Sequence, residues 1–413
     1  MKIAYIVPYV PNLIRIRSYK LIKHLSRLGI EVSLFTIGSS KGDLDDVNLL
    51  KSNCRNVFYG NQPVWRSLLN CIVAFPTEKS LQAVYSWNPE LAAKLRKQIE
   101  ANTSEQGYDL VHVEHLRGAQ YAEYVRSNFP DKPLLWDSVD CISHLFKQAV
   151  SQSRGLFGRF ISQLDVKRTQ LTEGRQICEV DHVLVTSPVD RDALLALVSP
   201  ERTSAPISIL SNGVDLDYYR RPDQFAKELD TIVFSGKMSY HANITMATYL
   251  IYEIMPKVWQ LKPNIRVVIV GKDPSPAVRK FSENPKVTVT GTVDDVRPFL
   301  WKAGVSVVPL VYGAGIQNKI LEAMAAGVPV IATSKSLSAL HVVAGSDLLI
   351  ADSPEEFAVE ILRLMSNPKL YNDISSNGLA YVTKYHDWNN IAKQLVEIYE
   401  QTIERKTAPK KQG

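Results

Sequence analysis

Residues 305–332 read VSVVPLVYGAGIQNKILEAMAAGVPVIA, and the rest of the chain can be laid out from this stretch. The opening run 305–311 is apolar and rich in valine, which suits a strand buried on both faces of a parallel sheet. A turn follows at Gly313-Ala314-Gly315. Residues 318–326 are good helix formers and stop at Gly327, and 328–332 is a second apolar strand. Strand, glycine turn and helix N-terminus together make an anion site. Glycine lets the backbone approach a ligand, the first helical N–H groups lack internal partners, and the helix dipole favours negative charge. Lys319 falls in the first turn and adds a positive charge. Glu322 lies one turn further on the same face, placed to accept hydrogen bonds from sugar hydroxyls.

Working outward, the same alternation recurs. Residues 231–235 form a strand that runs into Gly236-Lys237, 265–270 one that ends at Gly271-Lys272-Asp273, and 287–290 one that leads to the loop 291–296. At the start of the chain, strand 2–7, loop 8–12, helix 15–28 and strand 31–36 make a βαβ unit, right-handed by the twist rule. Its loop therefore lies at the carboxyl end of the first strand, where open α/β sheets bind ligands. Strand 108–113 carries Glu114 and His115 at its carboxyl end, and strand 134–140 carries Asp137 and Asp140. A histidine and carboxylates thus converge on the mouth of the sheet. Residues 67–75 are apolar and too short to span a membrane, so they read as core or as a wall on the acceptor side. Residues 148–179 read as a polar, basic helical segment, and 183–187 as the strand that closes the first sheet.

The expected architecture is α/β, with two Rossmann-like doubly wound domains. The first covers 1–200, a Pro- and Ser-bearing link occupies 197–208, the second domain covers 208–385, a terminal helix 386–405, and a charged tail 406–413. A length of 413 residues fits two cores better than one. The net charge of +6 is well mixed and too mild to argue for a nucleic-acid partner. Cys54, Cys71, Cys141 and Cys178 have no metal-ligand spacing and read as reduced cytosolic thiols. No run reaches transmembrane length, and the N-terminus lacks the apolar region and cleavage site of a signal peptide. A cytoplasmic protein is expected. The series Arg15, Arg17, Lys20, Lys23 and Arg27 suggests peripheral contact with the inner membrane face.

The segment GAGIQNKILEAMAAGVPVIATS resembles the nucleotide-sugar loop of family 4 glycosyltransferases, retaining enzymes of GT-B fold, closest to the bacterial sugar transferases of exopolysaccharide and PEP-CTERM clusters. That resemblance implies two domains facing across a cleft, with the terminal helix crossing back to the first. It implies a metal-independent hexosyltransferase moving a sugar from a nucleoside diphosphate, uridine favoured over guanosine, to a hydroxyl of a sugar, lipid-linked or other small acceptor, in polysaccharide or glycoconjugate biosynthesis. No cofactor is expected beyond the nucleotide-sugar substrate. Lys237 and Lys319 would grip the diphosphate, Glu322 the ribose, and His115 would bind the donor sugar or assist the acceptor. Asn12 stands where members carry a phosphate-touching Gly pair. Gly236, Gly271, Gly313, Gly315, Ile316, Gln317 and Asn318 would line the donor, with Thr292 and Val293 by the base. The chain departs from the family at Ala314, where many members carry a second Glu, and at Ala242-Asn243, where a second Lys is usual. Asp215-Leu216-Asp217 is a DxD that reads as a structural turn, and no metal site is expected. Two other readings stay open: a sugar-nucleotide epimerase or hydrolase using Glu114, Asp137 or Asp140, and a non-catalytic binding module.

Overall fold

The computed structural model describes all residues except 13–14, 102–106, 151–155, 313–315 and 409–413, and side chains except also those of 148–150 and 156–164. The chain divides into two compact units, Met1–Ser211 with Ile391–Gly413, and Asn212–Asn390.

The first unit is a seven-stranded parallel sheet. Its strands are β1 (Lys2–Val7), β2 (Glu31–Gly38), β3 (Asn56–Asn61), β4 (Leu110–Glu114), β5 (Leu134–Val139), β6 (His182–Val185) and β7 (Ile207–Ile209). The order is β3-β2-β1-β4-β5-β6-β7. The expected link at 197–208 is therefore partly strand: β7 pairs with β6 and closes this sheet, which 183–187 does not. The sequence disguised it because three half-buried residues after a proline leave almost no periodicity to read. The central strands are near-continuous apolar runs. Ile3, Ala4, Tyr5, Ile6 and Val7 are fully buried, as a sheet covered on both faces requires.

The second unit has six parallel strands in the order β10-β9-β8-β11-β12-β13. They are β8 (Glu228–Ser235), β9 (Arg266–Val270), β10 (Val287–Val289), β11 (Ala303–Val308), β12 (Val330–Ala332) and β13 (Leu349–Ile350). In both units the chain winds outward from the first strand in one direction and then resumes on its other side. This is the doubly wound order that leaves a switch point at the carboxyl edge, between β1 and β4 in one unit and between β8 and β11 in the other. The decisive stretch behaves as read: β11, then the helix Asn318–Ala325, then Gly327 at φ 65°, then β12. The terminal helix runs Trp388–Thr407, so Lys406 and Thr407 belong to it rather than to a tail.

Candidate active site

Parallel strands send all their carboxyl-end loops to one edge, so the loops after β8, β9, β10 and β11 emerge side by side. Two of them touch. Gly236 (φ 152°) and Gly271 (φ 149°) hold conformations that side chains rarely adopt. A Cβ on Gly271 would fall 1.8 Å from the Gly236 carbonyl oxygen, so no other residue fits. The Gly236 N–H donates to the Val270 carbonyl at 3.1 Å, and the Met238 N–H to the Lys272 carbonyl at 2.9 Å. Lys237 leaves this junction with its side chain more than half exposed, 3.9 Å from Asp273.

Asn243, on the helix His241–Tyr249, locks the next piece in place. Its amide nitrogen donates to the Lys237 carbonyl at 3.0 Å, and its amide oxygen accepts from the Lys319 ammonium at 2.8 Å. Asn243 is buried, and Lys319 is half-buried with its ammonium 5.4 Å from the Phe234 ring centre. Burial pushes the Lys319 pKa down to about 8, against the pull of Glu322. Glu322 is also half-buried, which raises its pKa. A hydrogen bond from the Tyr219 hydroxyl and the charge of Lys319 oppose that rise. Tyr219 is fixed in turn, because the Trp301 indole donates to its carbonyl at 2.8 Å.

The structure therefore brings Lys319, Glu322, Gly236 and Gly271 to the carboxyl edge of one sheet. Gln317 is the N-cap of the helix Asn318–Ala325 and makes no side-chain cap of its own. Ile316 and Val293 pack against the core of this unit, whereas Thr292 is exposed on the loop after edge strand β10. Gly313 and Gly315 lie outside the described residues. Asp215 is a helix cap that accepts the Tyr218 N–H at 3.0 Å.

His115 and Asn12 belong to the first unit. Asn12 uses its amide locally, donating to Asp46 at 2.8 Å and accepting the Arg15 N–H at 2.9 Å. His115 has φ 64°, an unfavourable backbone for a side chain of this kind. It persists because the His115 N–H donates to the Asp137 carbonyl at 2.6 Å and the Trp136 indole donates to the His115 carbonyl at 3.2 Å. Such strain persists only where the surrounding structure over-determines it. Its Nδ1 accepts from the Arg117 N–H at 3.3 Å, which leaves the proton on Nε2. Burial, then Arg117 and Arg15, lower its pKa to about 4, so the ring is neutral near pH 7.

The carboxylates beneath it are turned inward. Asp137, fully buried, accepts from the Arg17 Nε at 2.9 Å and forms an ion pair with its Nη2 at 2.9 Å. Glu114, also fully buried, accepts from Tyr5 at 3.1 Å, Ser18 at 3.0 Å and Tyr9. Burial, then the charge of Asp137, push Glu114 up to about 7. His112 and Tyr399 of the terminal helix complete the cluster, 2.7 Å apart. Although His112, Glu114 and Asp137 lie close enough to share an ion, Arg17 supplies the positive charge there. Arg17 and Lys20 are each 6% exposed, which corrects the reading of 15–27 as a basic surface series.

Sequence reasoning missed Asn243 and Tyr219. Asn243 stands on a helix that also carries His241, Thr245 and Thr248, so its polarity alone does not single it out. Nothing in the sequence ties Tyr219 to a residue 103 positions later.

Residues 230–367 match the profile of the family described as glycosyl transferases group 1. The Bacillus subtilis (strain 168) protein YtcC, whose name carries a provisional glycosyltransferase assignment, is 22% identical over 333 residues, 71% of this chain and 79% of its own. Among solved structures, sucrose-phosphate synthase of Thermosynechococcus elongatus superposes with TM-score 0.67 at 19% identity, covering 98% of this chain and 100% of that one. Anabaena Alr3699/HepE in complex with UDP gives TM-score 0.66 at 16% identity, covering 97% and 100%; it has also been solved with UDP-glucose. The two parallel-sheet units have the GT-B fold, and the matched domain together with these relatives supports a glycosyltransferase.

Proposed function

We propose that the chain is a retaining, metal-independent hexosyltransferase of family 4, in the exopolysaccharide subgroup, which moves a sugar from a nucleoside diphosphate to an acceptor hydroxyl. UDP is the favoured carrier. The observation that carries this reading is Lys319: a half-buried ammonium, held at 2.8 Å by Asn243 in the first turn of a helix, at the switch point of a doubly wound sheet. A half-buried cation pinned in that position is suited to a diphosphate.

The chemistry follows from charge. As the anomeric C–O bond breaks, its electron pair passes to the diphosphate oxygen. Lys319, Lys237 and the amides at 316–318 stabilise the resulting charge. The acceptor oxygen bonds to the anomeric carbon on the same face, and the departing phosphate oxygen takes its proton. Configuration is retained, with no side-chain nucleophile. Glu322, oriented by Tyr219, accepts from the ribose hydroxyls. His115, neutral and protonated on Nε2, donates to the donor sugar or to the acceptor. Glu114 and Asp137, committed to internal partners, take no part.

The test is incubation with UDP-hexoses and an acceptor pool without divalent cation, followed by NMR of the anomeric proton. Transfer with the donor's configuration is expected. An inverted product, or release of free sugar or its epimer alone, would overturn the proposal.

A further inference from the structure

The helix Val64–Ala74 is built inside out. Amphipathic helices of globular proteins turn the apolar stripe inward. Here Val64, Trp65, Leu68, Leu69, Ile72 and Val73 are all exposed, Ile72 at 69% and Val73 at 67%. They recur at i, i+1, i+4, i+5, i+8 and i+9, which winds along one side of a helix. Phe75, just beyond the helix, is 55% exposed and extends the stripe.

The inward side is polar and anchored. Ser67 is buried and accepts from Gln62 at 3.2 Å, and the Asn70 amide donates to the Val84 and Trp87 carbonyls at 3.1 and 2.9 Å. These bonds fix the helix with its apolar side outward. The reading of 67–75 as core is thereby corrected: it took apolar character for burial.

The borders of the stripe indicate what covers it. At one end the Arg66 guanidinium lies 5.7 Å from the Trp65 ring; at the other the Arg168 guanidinium lies 5.3 Å from the Phe75 ring. Arg66 pairs with exposed Glu90 at 2.9 Å and donates to the Asn61 carbonyl at 3.4 Å, surface contacts that a phosphate can replace at little cost. Arginine beside tryptophan or phenylalanine at the margin of an apolar strip is the chemistry of a lipid headgroup boundary, with rings at headgroup depth and cations against phosphate. Eleven residues cannot cross a bilayer, and no helix among the described residues is long and apolar enough to do so. A helix of this kind lies in the plane of the interface.

We propose that the helix Val64–Ala74 seats the first unit on an anionic lipid bilayer, its apolar side in the acyl boundary and Arg66 against phosphate. The inference is independent of the transfer reaction. It replaces the helix Ile16–Arg27 as the membrane contact, since the basic side chains Arg17 and Lys20 of that helix are buried.

The full chain is floated with vesicles of phosphatidylcholine alone and of phosphatidylcholine with phosphatidylglycerol, beside Leu68→Ser/Ile72→Ser. Expected is binding to the anionic vesicles that falls with salt and drops about tenfold or more in the double variant, with Tm unchanged because both side chains are already half exposed or more. Sedimentation velocity of the lipid-free protein is expected to show a monomer in both. The proposal is overturned by undiminished binding of the variant, by equal binding to neutral vesicles, or by a wild-type dimer that the variant dissociates.

Discussion

Asn243→Ala separates a structural asparagine from one that builds the phosphate site. The substitution removes the 2.8 Å bond to Lys319 and the 3.0 Å bond to the Lys237 carbonyl. A neutral hydrogen bond contributes about 1 kcal/mol and one to a charged group about 1.5–3 kcal/mol. The stability loss should therefore be about 2.5–4 kcal/mol, less whatever water recovers. Affinity for a diphosphate changes for a different reason. An ammonium has three donors, so Asn243 occupies one and leaves two for phosphate. It orients Lys319 without competing for it. Releasing Lys319 restores its rotamer freedom, which binding must then remove, so UDP affinity should fall about tenfold, or about 1.4 kcal/mol. Asn243→Asp should lose more, because its carboxylate also repels the ligand. Thermal melts and calorimetric titration with UDP read the two effects on the same samples. A lower Tm with UDP affinity unchanged in both variants would refute the reasoning and leave Asn243 as a packing residue.

Glu322→Gln should keep the fold and lose roughly tenfold in kcat/KM, and Tyr219→Phe, which frees the same carboxylate, should lose less; a small drop in Tm with intact kcat/KM in both would show that Glu322 serves only the helix. Transfer should survive EDTA, and activity restored to a chelated sample by Mg²⁺ or Mn²⁺ would reopen the roles of Asp215 and Asp217. Stability of the first unit should decline as pH rises above about 6.5: Glu114 and Glu173 are raised by burial to about 7 and Asp140 to about 6, so these acids bind protons more tightly folded than unfolded. Their contribution is complete below about pH 4, where the unfolded chain is protonated too, and is lost as pH rises through 6 to 7, while His115 and His182, lowered to about 4 by burial, act in the opposite sense up to about pH 6.5; a Tm that climbs between pH 6.5 and 8 would contradict this.

What the sequence disclosed follows from how local each cause is. The strand–turn–helix at Lys319 is set by neighbours within a few residues, and three-residue helical spacing alone puts Glu322 on the face of Lys319. Strand β1 announced itself because a strand covered on both faces must be apolar throughout. Edge strands β3 and β7 did not, since half-burial dilutes the pattern. The least legible features depend on distant partners. Arg17 looked like a solvated residue, yet it is buried because Asp137, 120 positions away, neutralises it. Lys319 was legible as a cation, but not its tether to Asn243, 76 positions earlier. The core reading of 67–75 failed because apolar character says nothing about which side the polar residues anchor.

Calorimetric titration of UDP into the wild-type chain and Lys319→Ala, from pH 6.5 to 10, bears most directly on the central claim that Lys319 is the diphosphate's cation. The wild type should bind one UDP per chain. Its affinity should be steady to about pH 7.5 and fall above about 8, as the free protein's Lys319 loses its proton. Lys319→Ala should bind at least tenfold more weakly, with that fall in affinity absent. Equal affinity in the two proteins, or the same decline with pH in both, would contradict the account.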